Sequence, residues 1–597
     1  MNRTLKALPF TQVTIEDQFW APRLRANREN TLTACLDQCD STGRISNFAK
    51  AGGQADGEFE GIYYNDSDVY KVLEGVAYAL MSQSNAELER RADDIIDQIA
   101  AAQEEDGYLL CYFTLQAPDK KWTDMAYHEM YCGGHLMEAA VAYKKATGKG
   151  ALLAVACKLA DHYDEIFGPG KRHWVPGHEE IELALIKLYE ETKEDRYRDL
   201  AFWLLEERGH GNGSGEIWDR EGWGPAYCQD DKPIREMTNV SGHAVRAMYL
   251  YTAVADAAAI TSDQGYIDAL DRLWESVVLR NMYVTGGIGP SKDNEGFTLD
   301  YDLPNETAYC ETCASVGMVY WNHRMNLLHR DAKYADVVET ALYNGALAGV
   351  SLSGDRFFYV NPLASKGAHH RVEWFGTSCC PTQIARFVPS IGNYVYATGD
   401  QTIYINLYVA GTGTMKLEDG VVTLTQKTNY PWDGNVQITV DATEMCSFEL
   451  GLRIPGWCES AAFHVNDVPT RPAKLNKGYA TLVREWKTGD TVTLQLDMSV
   501  QREHALPLVK ANQGRVALRR GPLVYCVEQA DNELNMEQWI VSSSTAFFTE
   551  HRADVLEGVT LIHCEDAASG KQFAAIPYYA WDNREPGPMA VWLREEK

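Results

Sequence analysis

Cys379 and Cys380, followed by Pro381, are poor core filler, because adjacent side chains rarely pack into one space. As a disulfide they would close only a strained ring. As thiolates on one tight turn, both can reach a soft or borderline metal ion. Upstream, Tyr309-Cys310-Glu311-Thr312-Cys313 offers a carboxylate and one or two more sulfurs. Glu311 and Cys313, two residues apart, point to different faces of a regular helix. Both reach one ion only if the segment is a turn or an irregular helix start, which the helical pattern beginning after Cys313 allows. The donor set is then Glu311 with Cys313, Cys379 and Cys380, or four cysteines if Cys310 joins, and either suits tetrahedral Zn²⁺. The competing reading is a set of separate, buried, inert thiols.

Among acids and bases, Glu295 lies in the loop Asp293-Asn294-Glu295-Gly296-Phe297, where neighbouring glycine permits close approach to a ligand; most loop glutamates are merely solvated. The preceding run Thr285-Gly286-Gly287-Ile288-Gly289-Pro290 lacks full dinucleotide spacing and a P-loop lysine, so it is not a nucleotide loop. Histidines recur at expected helix starts, in His128-Glu129, His178-Glu179-Glu180 and Ser241-Gly242-His243. Neutral imidazoles, together with Glu339 and Tyr359, could hydrogen-bond a polyhydroxylated ligand. Each of these residues, taken singly, also fits a satisfied structural role.

The elements that must position these residues fall into two classes. From near Cys39 to about residue 350 stretches of helical periodicity follow one another, such as Leu88 to Ala101 with Ala92, Ile95, Ile96 and Ile99 on one side. With a first helix ending near Cys39 and one after Pro381, about twelve helices are expected. Successive pairs fit an open solenoid or a closed double ring. The lack of a fixed repeat favours closure into an α/α toroid, whose polar, aromatic loops (Gln103 to Leu109, Trp218 to Tyr227, Tyr283 to Phe297) would surround one funnel. After about residue 395 the period becomes two, as in Val436-Gln437-Ile438-Thr439-Val440, with Asp-Gly, Pro and Asn breaks, which reads as β-sandwich material in two modules.

Composition bounds the function. The 597 residues exceed one compact core. The formal charge of −29, from 84 acidic against 55 basic residues, argues against nucleic acid or an anionic membrane as partner. No apolar run approaches a membrane span. The start of the chain reads as lacking an export signal, which predicts a cytoplasmic protein whose 14 cysteines are not a disulfide framework.

Together these residues resemble the β-L-arabinofuranosidases of glycoside hydrolase family 127 and its close relatives. The resemblance rests on Asp106-Gly107-Tyr108-Leu109, His128-Glu129-Met130-Tyr131-Cys132, Gly177-His178-Glu179-Glu180, Glu311-Thr312-Cys313 and Cys379-Cys380-Pro381. It continues through Arg453-Ile454-Pro455-Gly456-Trp457, Gly521-Pro522-Leu523-Val524-Tyr525 and Ala575-Ile576-Pro577-Tyr578-Tyr579-Ala580-Trp581, so it covers nearly the whole chain. It implies a multidomain α+β protein: residues 1–15 as a strand segment joining the β region, 16–392 as a catalytic (α/α)6 barrel, and 393–505 and 506–597 as two β-sandwiches. It also implies Zn²⁺ held by Glu311, Cys313, Cys379 and Cys380, with Cys379 as nucleophile and Glu295 as general acid/base. His128 (with His135 as the nearby alternative), His178, His243, Glu339 and Tyr359 are its implied sugar-contacting residues. A homodimer through the C-terminal β module is implied too. The chain departs from the family in Thr382-Gln383, where Pro-Asn is associated with it, and in the extra sulfur of Cys310; both bear on which sugar is taken.

The leading expectation is a retaining exo-glycosidase releasing terminal β-L-arabinofuranose from a small oligosaccharide or glycoconjugate. The alternatives are the same mechanism on another pentose-like residue of pectin, a metal-independent uronyl hydrolase or lyase, and a carbohydrate-binding protein with structural zinc.

Overall fold

The structure is a computed structural model that describes residues 5–418, 420–472, 474–532, 539–567 and 570–596. The first four residues of the expected N-terminal segment lie outside them. Six helices form an inner ring: Asp66–Ser82, Glu129–Thr147, Ile181–Thr192, Ala244–Thr261, Thr312–His329 and Cys379–Phe387. Each packs against the next, and Cys379–Phe387 closes the ring on Asp66–Ser82. The outer layer is Trp20–Ser41 (with a wider π-type turn over Asn27–Thr31), Ala86–Ala102, Ala151–Ile166, Asp195–Glu207, Gln264–Arg280 and Ala332–Thr340.

The residues explain the two layers. Ala86–Ala102 buries Ala92, Ile95, Ile96, Ile99 and Ala102 on one stripe and leaves the rest to solvent. The inner helix Glu129–Thr147 is buried on all sides from Glu129 to Tyr143, and Ala244–Thr261 from Ala244 to Ala255. Such helices show little amphipathic pattern. The expected helices are present within a few residues; Arg44–Ala51 is an additional one.

The middle domain pairs two sheets. One runs Lys6–Ala7, Tyr396–Gly399, Thr402–Ile405, Cys446–Arg453, Tyr479–Trp486 and Lys474–Asn476; the other ends in Gly411–Leu417 and Val13–Ile15. The N-terminal segment supplies an edge strand to each, Lys6 opposite Thr398 and Thr14 opposite Thr412. The C-terminal domain is sandwich-like: among the described residues nine strands from Val500 onward join Ala364–Ser365 of the barrel in one ten-stranded sheet, the barrel strand pairing with Met589–Ala590. The architecture is therefore a helical barrel followed by two β domains. Among the described residues no helix is long and apolar enough to cross a membrane.

Candidate active site and metal centre

One rule of placement builds the site. Tyr64 immediately precedes the Asn65 cap of Asp66–Ser82, and His128 caps Glu129–Thr147. His178 precedes Ile181–Thr192, His243 caps Ala244–Thr261, Glu311 caps Thr312–His329, and Cys379 opens Cys379–Phe387. All six inner helices thus deliver their N-terminal ends to one cavity of about 490 Å³. Helix N-termini present unpaired N–H groups and partial positive charge, which favours thiolate and carboxylate there. A larger crevice of about 690 Å³ lies between the N-terminal segment and Pro389–Gly392, but no cysteine or histidine lines it.

At the floor, ligand atoms of Glu311, Cys313, Cys379 and Cys380 all lie within 4.8 Å of one another. Glu311 is extended (φ −56°, ψ 138°), and the helix starts at Thr312. This irregular start turns the carboxylate and the Cys313 thiol toward the same point. Cys379 Sγ is 3.5 Å from Glu311 Oε1 and 3.1 Å from the Tyr359 hydroxyl; Cys313 and Cys380 sulfurs are 3.6 Å apart. Cys380 and Pro381 occupy the first helical turn, where proline displaces no intrahelical hydrogen bond.

The donor set fits a metal ion. Three sulfurs and a carboxylate suit a borderline divalent cation such as zinc. Glu311 Oε2 is buried with no hydrogen-bond partner among the described residues. Burial pushes the Cys313 and Cys380 thiols and the Glu311 carboxyl well up. Hydrogen bonds from Cys313 and Cys380 hold Cys379 well below the usual thiol range. Cys379 is therefore the group best able to be a thiolate. Cys310 stands outside the cluster, its sulfur packed against Gly287.

Glu295 sits on the cavity wall. His243 Nε2 is 2.9 Å from its Oε2, and the Tyr309 hydroxyl donates to its Oε1 at 3.2 Å. The His243 tautomer follows from the fold: Nδ1 accepts from the Val245 and Arg246 N–H groups as helix cap, so Nε2 carries the proton and donates to Glu295. Burial pushes the Glu295 carboxyl up, but the His243 hydrogen bond and the Arg246 charge outweigh it and hold it below the usual range. The Glu295 loop lies so close to the cap that a Cβ at Gly296 would run into the Gly242 carbonyl.

His128 and His178 also line the cavity, and burial, then the Arg246 charge, lowers both well below the ordinary imidazole range. His178 Nδ1 donates to the Glu179 carbonyl at 2.7 Å, leaving Nε2 as an acceptor. His128 stacks on Tyr64 with ring centroids 4.3 Å apart. His135 is instead fully buried inside the barrel, 3.0 Å from Glu180.

Glu339, expected among the sugar-contacting residues, lies elsewhere. It is buried at the junction with the middle domain, accepting from the Tyr430 hydroxyl (2.6 Å), the Trp457 indole N–H (3.0 Å) and the Arg453 guanidinium. The ring turns the far end of its outer helix away from the cavity, which Glu339 does not line. Thr382 and Gln383 also face the core, toward Asp68 and toward Tyr249, Tyr320 and Arg386. Sequence reasoning missed Tyr63, Tyr64 and Tyr309. Position directly before an inner helix would have found Tyr64.

Comparison with known proteins identifies the family and the fold. The family models for the β-L-arabinofuranosidase GH127 catalytic domain, GH127 middle domain and family 127 C-terminal domain match residues 12–393, 402–498 and 500–594. A non-reducing end β-L-arabinofuranosidase of Bifidobacterium longum subsp. longum is 40% identical over 613 residues, covering 92% of each chain. The crystal structure of a GH127 β-L-arabinofuranosidase from Geobacillus stearothermophilus T6 is 41% identical and superposes with a TM-score of 0.94, covering 98% of this chain and 100% of that one. A second GH127 β-arabinofuranosidase structure gives 38% identity and a TM-score of 0.94, covering 100% of this chain and 98% of that one. The inner ring, its cavity and the two β domains are thus those of a glycoside hydrolase, and the chain belongs to glycoside hydrolase family 127.

Proposed function

We propose that this enzyme is a retaining exo-glycosidase that removes β-L-arabinofuranose from the non-reducing end of small glycans or glycoconjugates, with Cys379 as nucleophile and Glu295 as acid/base. The observation that carries this reading is that Cys379 and Glu295 line the same cavity, Cys379 hydrogen-bonded to the Tyr359 hydroxyl and Glu295 to His243. The cavity volume is typical of a pocket for one small ligand. The substrate comes from the relatives' activities.

Glu311, Cys313, Cys379 and Cys380 would hold zinc. When bound there it would keep its sulfur ligands deprotonated at neutral pH. Cys379 Sγ attacks the anomeric carbon, and Glu295 gives its proton to the departing glycosidic oxygen. The glycosyl-cysteine thioether is then opened by a water that Glu295 deprotonates; the C–S bond breaks and Cys379 leaves as thiolate. Two displacements at one carbon return the original anomeric configuration. The Tyr359 hydroxyl steadies the sulfur, and the neutral imidazoles His128 and His178 hydrogen-bond sugar hydroxyls, His178 accepting through Nε2.

Hydrolysis of an aryl β-L-arabinofuranoside followed by NMR tests the reading: the first-formed sugar keeps the β configuration, and mass spectrometry finds the trapped sugar on the peptide containing Cys379. A first-formed α product, or a label on another residue, overturns it.

A further inference from the structure

The mouth of the cavity carries a polar pair that the mechanism above does not use. Glu216 and Arg220 lie on the short helical turn Glu216–Asp219 and its end, and both line the same cavity as Cys379 and Glu295. Both are exposed, and among the described residues neither side chain has a hydrogen-bond or ion-pair partner. Arg220 is nevertheless held in place. Its guanidinium lies 3.7 Å over the Trp223 ring, whose opposite face stacks on Tyr227 at 3.8 Å with ring planes 5° apart. Arg246 covers Tyr227 in turn at 4.8 Å, so the rim is a layered stack of cation, indole, phenol and cation. The Trp223 indole N–H donates to the Asp293 carbonyl at 3.3 Å, two residues before Glu295. Both faces of the indole are taken, so the chemistry left for a ligand is the guanidinium donor and the carboxylate acceptor.

We infer that this rim is the leaving-group subsite, in which Arg220 and Glu216 hydrogen-bond hydroxyls of the sugar attached through the scissile oxygen. A donor beside an acceptor suits a neutral polyol, whereas an anionic group would be repelled by Glu216. The link from Trp223 to Asp293 joins the surface that holds the leaving group to the loop that carries its proton donor. The inference rests on the proposed sugar assignment.

The test compares a β-L-arabinofuranosyl disaccharide with methyl β-L-arabinofuranoside, which has no second sugar. Arg220→Ala and Glu216→Ala are changes at exposed positions, and thermal melting checks that each variant is folded. The ratio of kcat/KM, disaccharide over methyl glycoside, is expected to fall about tenfold in Arg220→Ala, the loss of one hydrogen bond to a charged group, with a smaller fall in Glu216→Ala. An unchanged ratio in both, with the wild type cleaving both substrates, overturns the subsite alone. A wild type that cleaves neither overturns the sugar assignment and the subsite with it.

Discussion

Two buried glutamates of the barrel domain, Glu311 and Glu339, occupy opposite electrostatic situations. Glu339 has a guanidinium, an indole N–H and a phenol on its two oxygens, and Arg453 is further paired with Asp336 at 2.6 Å. Glu311 faces three sulfurs, has one oxygen without any partner, and has no cation in contact among the described residues. A buried charge with complete partners is structural: it locks one domain on another. A buried acidic group left incomplete among other acidic groups costs stability unless something positive joins it. The difference in partners separates the fastener from the proposed reaction centre, although both residues are glutamates within one percentage point of each other in exposure.

The comparison can be broken most severely at the incomplete cluster. Cys379→Ala is expected to lower kcat at least about 10⁴-fold, as loss of a covalent nucleophile does, while the melting temperature shows a folded protein. Retained turnover would reduce the cluster to a structural one. Removing metal with a strong chelator should abolish activity in proportion to the zinc lost, measured by elemental analysis on the same sample, and zinc should restore it. Full activity in zinc-free protein would show that Glu311 needs no cation.

At the complete cluster the expected effect is on stability. Glu339→Gln breaks a buried ion pair and should cost about 3 kcal/mol in urea unfolding, with KM unchanged. A raised KM with unchanged stability would return Glu339 to the sugar site. The smallest effect is expected at Glu295. In the proposed mechanism its first chemical step needs the protonated carboxyl, so kcat/KM is expected to fall as pH rises through its pKa. His243 and Tyr309 stabilise the carboxylate and thus keep that fall at lower pH. Tyr309→Phe removes one donor, raises the Glu295 pKa and moves the alkaline limb of the pH profile to higher pH. A limb that moves to lower pH would show that Tyr309 acts on the protonated form.

Much of this was legible in the residues. Ala92, Ile95, Ile96 and Ile99 announce an outer helix, because a one-sided stripe is written within a few turns. Glu311, Cys313, Cys379 and Cys380 stand out because their types are costly unless used together. Glu339 misled for the same reason in reverse: a glutamate in a helical pattern carries no mark of which end of the barrel it will occupy. Arg220 and Trp223 fall in the expected funnel loop Trp218 to Tyr227, but nothing local singles them out within it, since their particular meaning comes from stacking on Tyr227 and from the Asp293 carbonyl.

The sequence by itself thus determined the element types, the change from helical to strand periodicity and the inventory of sulfur and carboxylate donors, because all of these are fixed by neighbours a few residues apart. Only the tertiary structure decided that six helix starts, from Tyr64 to Cys379, meet at one cavity while Glu339 turns to the β domain. That choice depends on closing a ring through packing between helices far apart in the chain, and no short-range pattern encodes it.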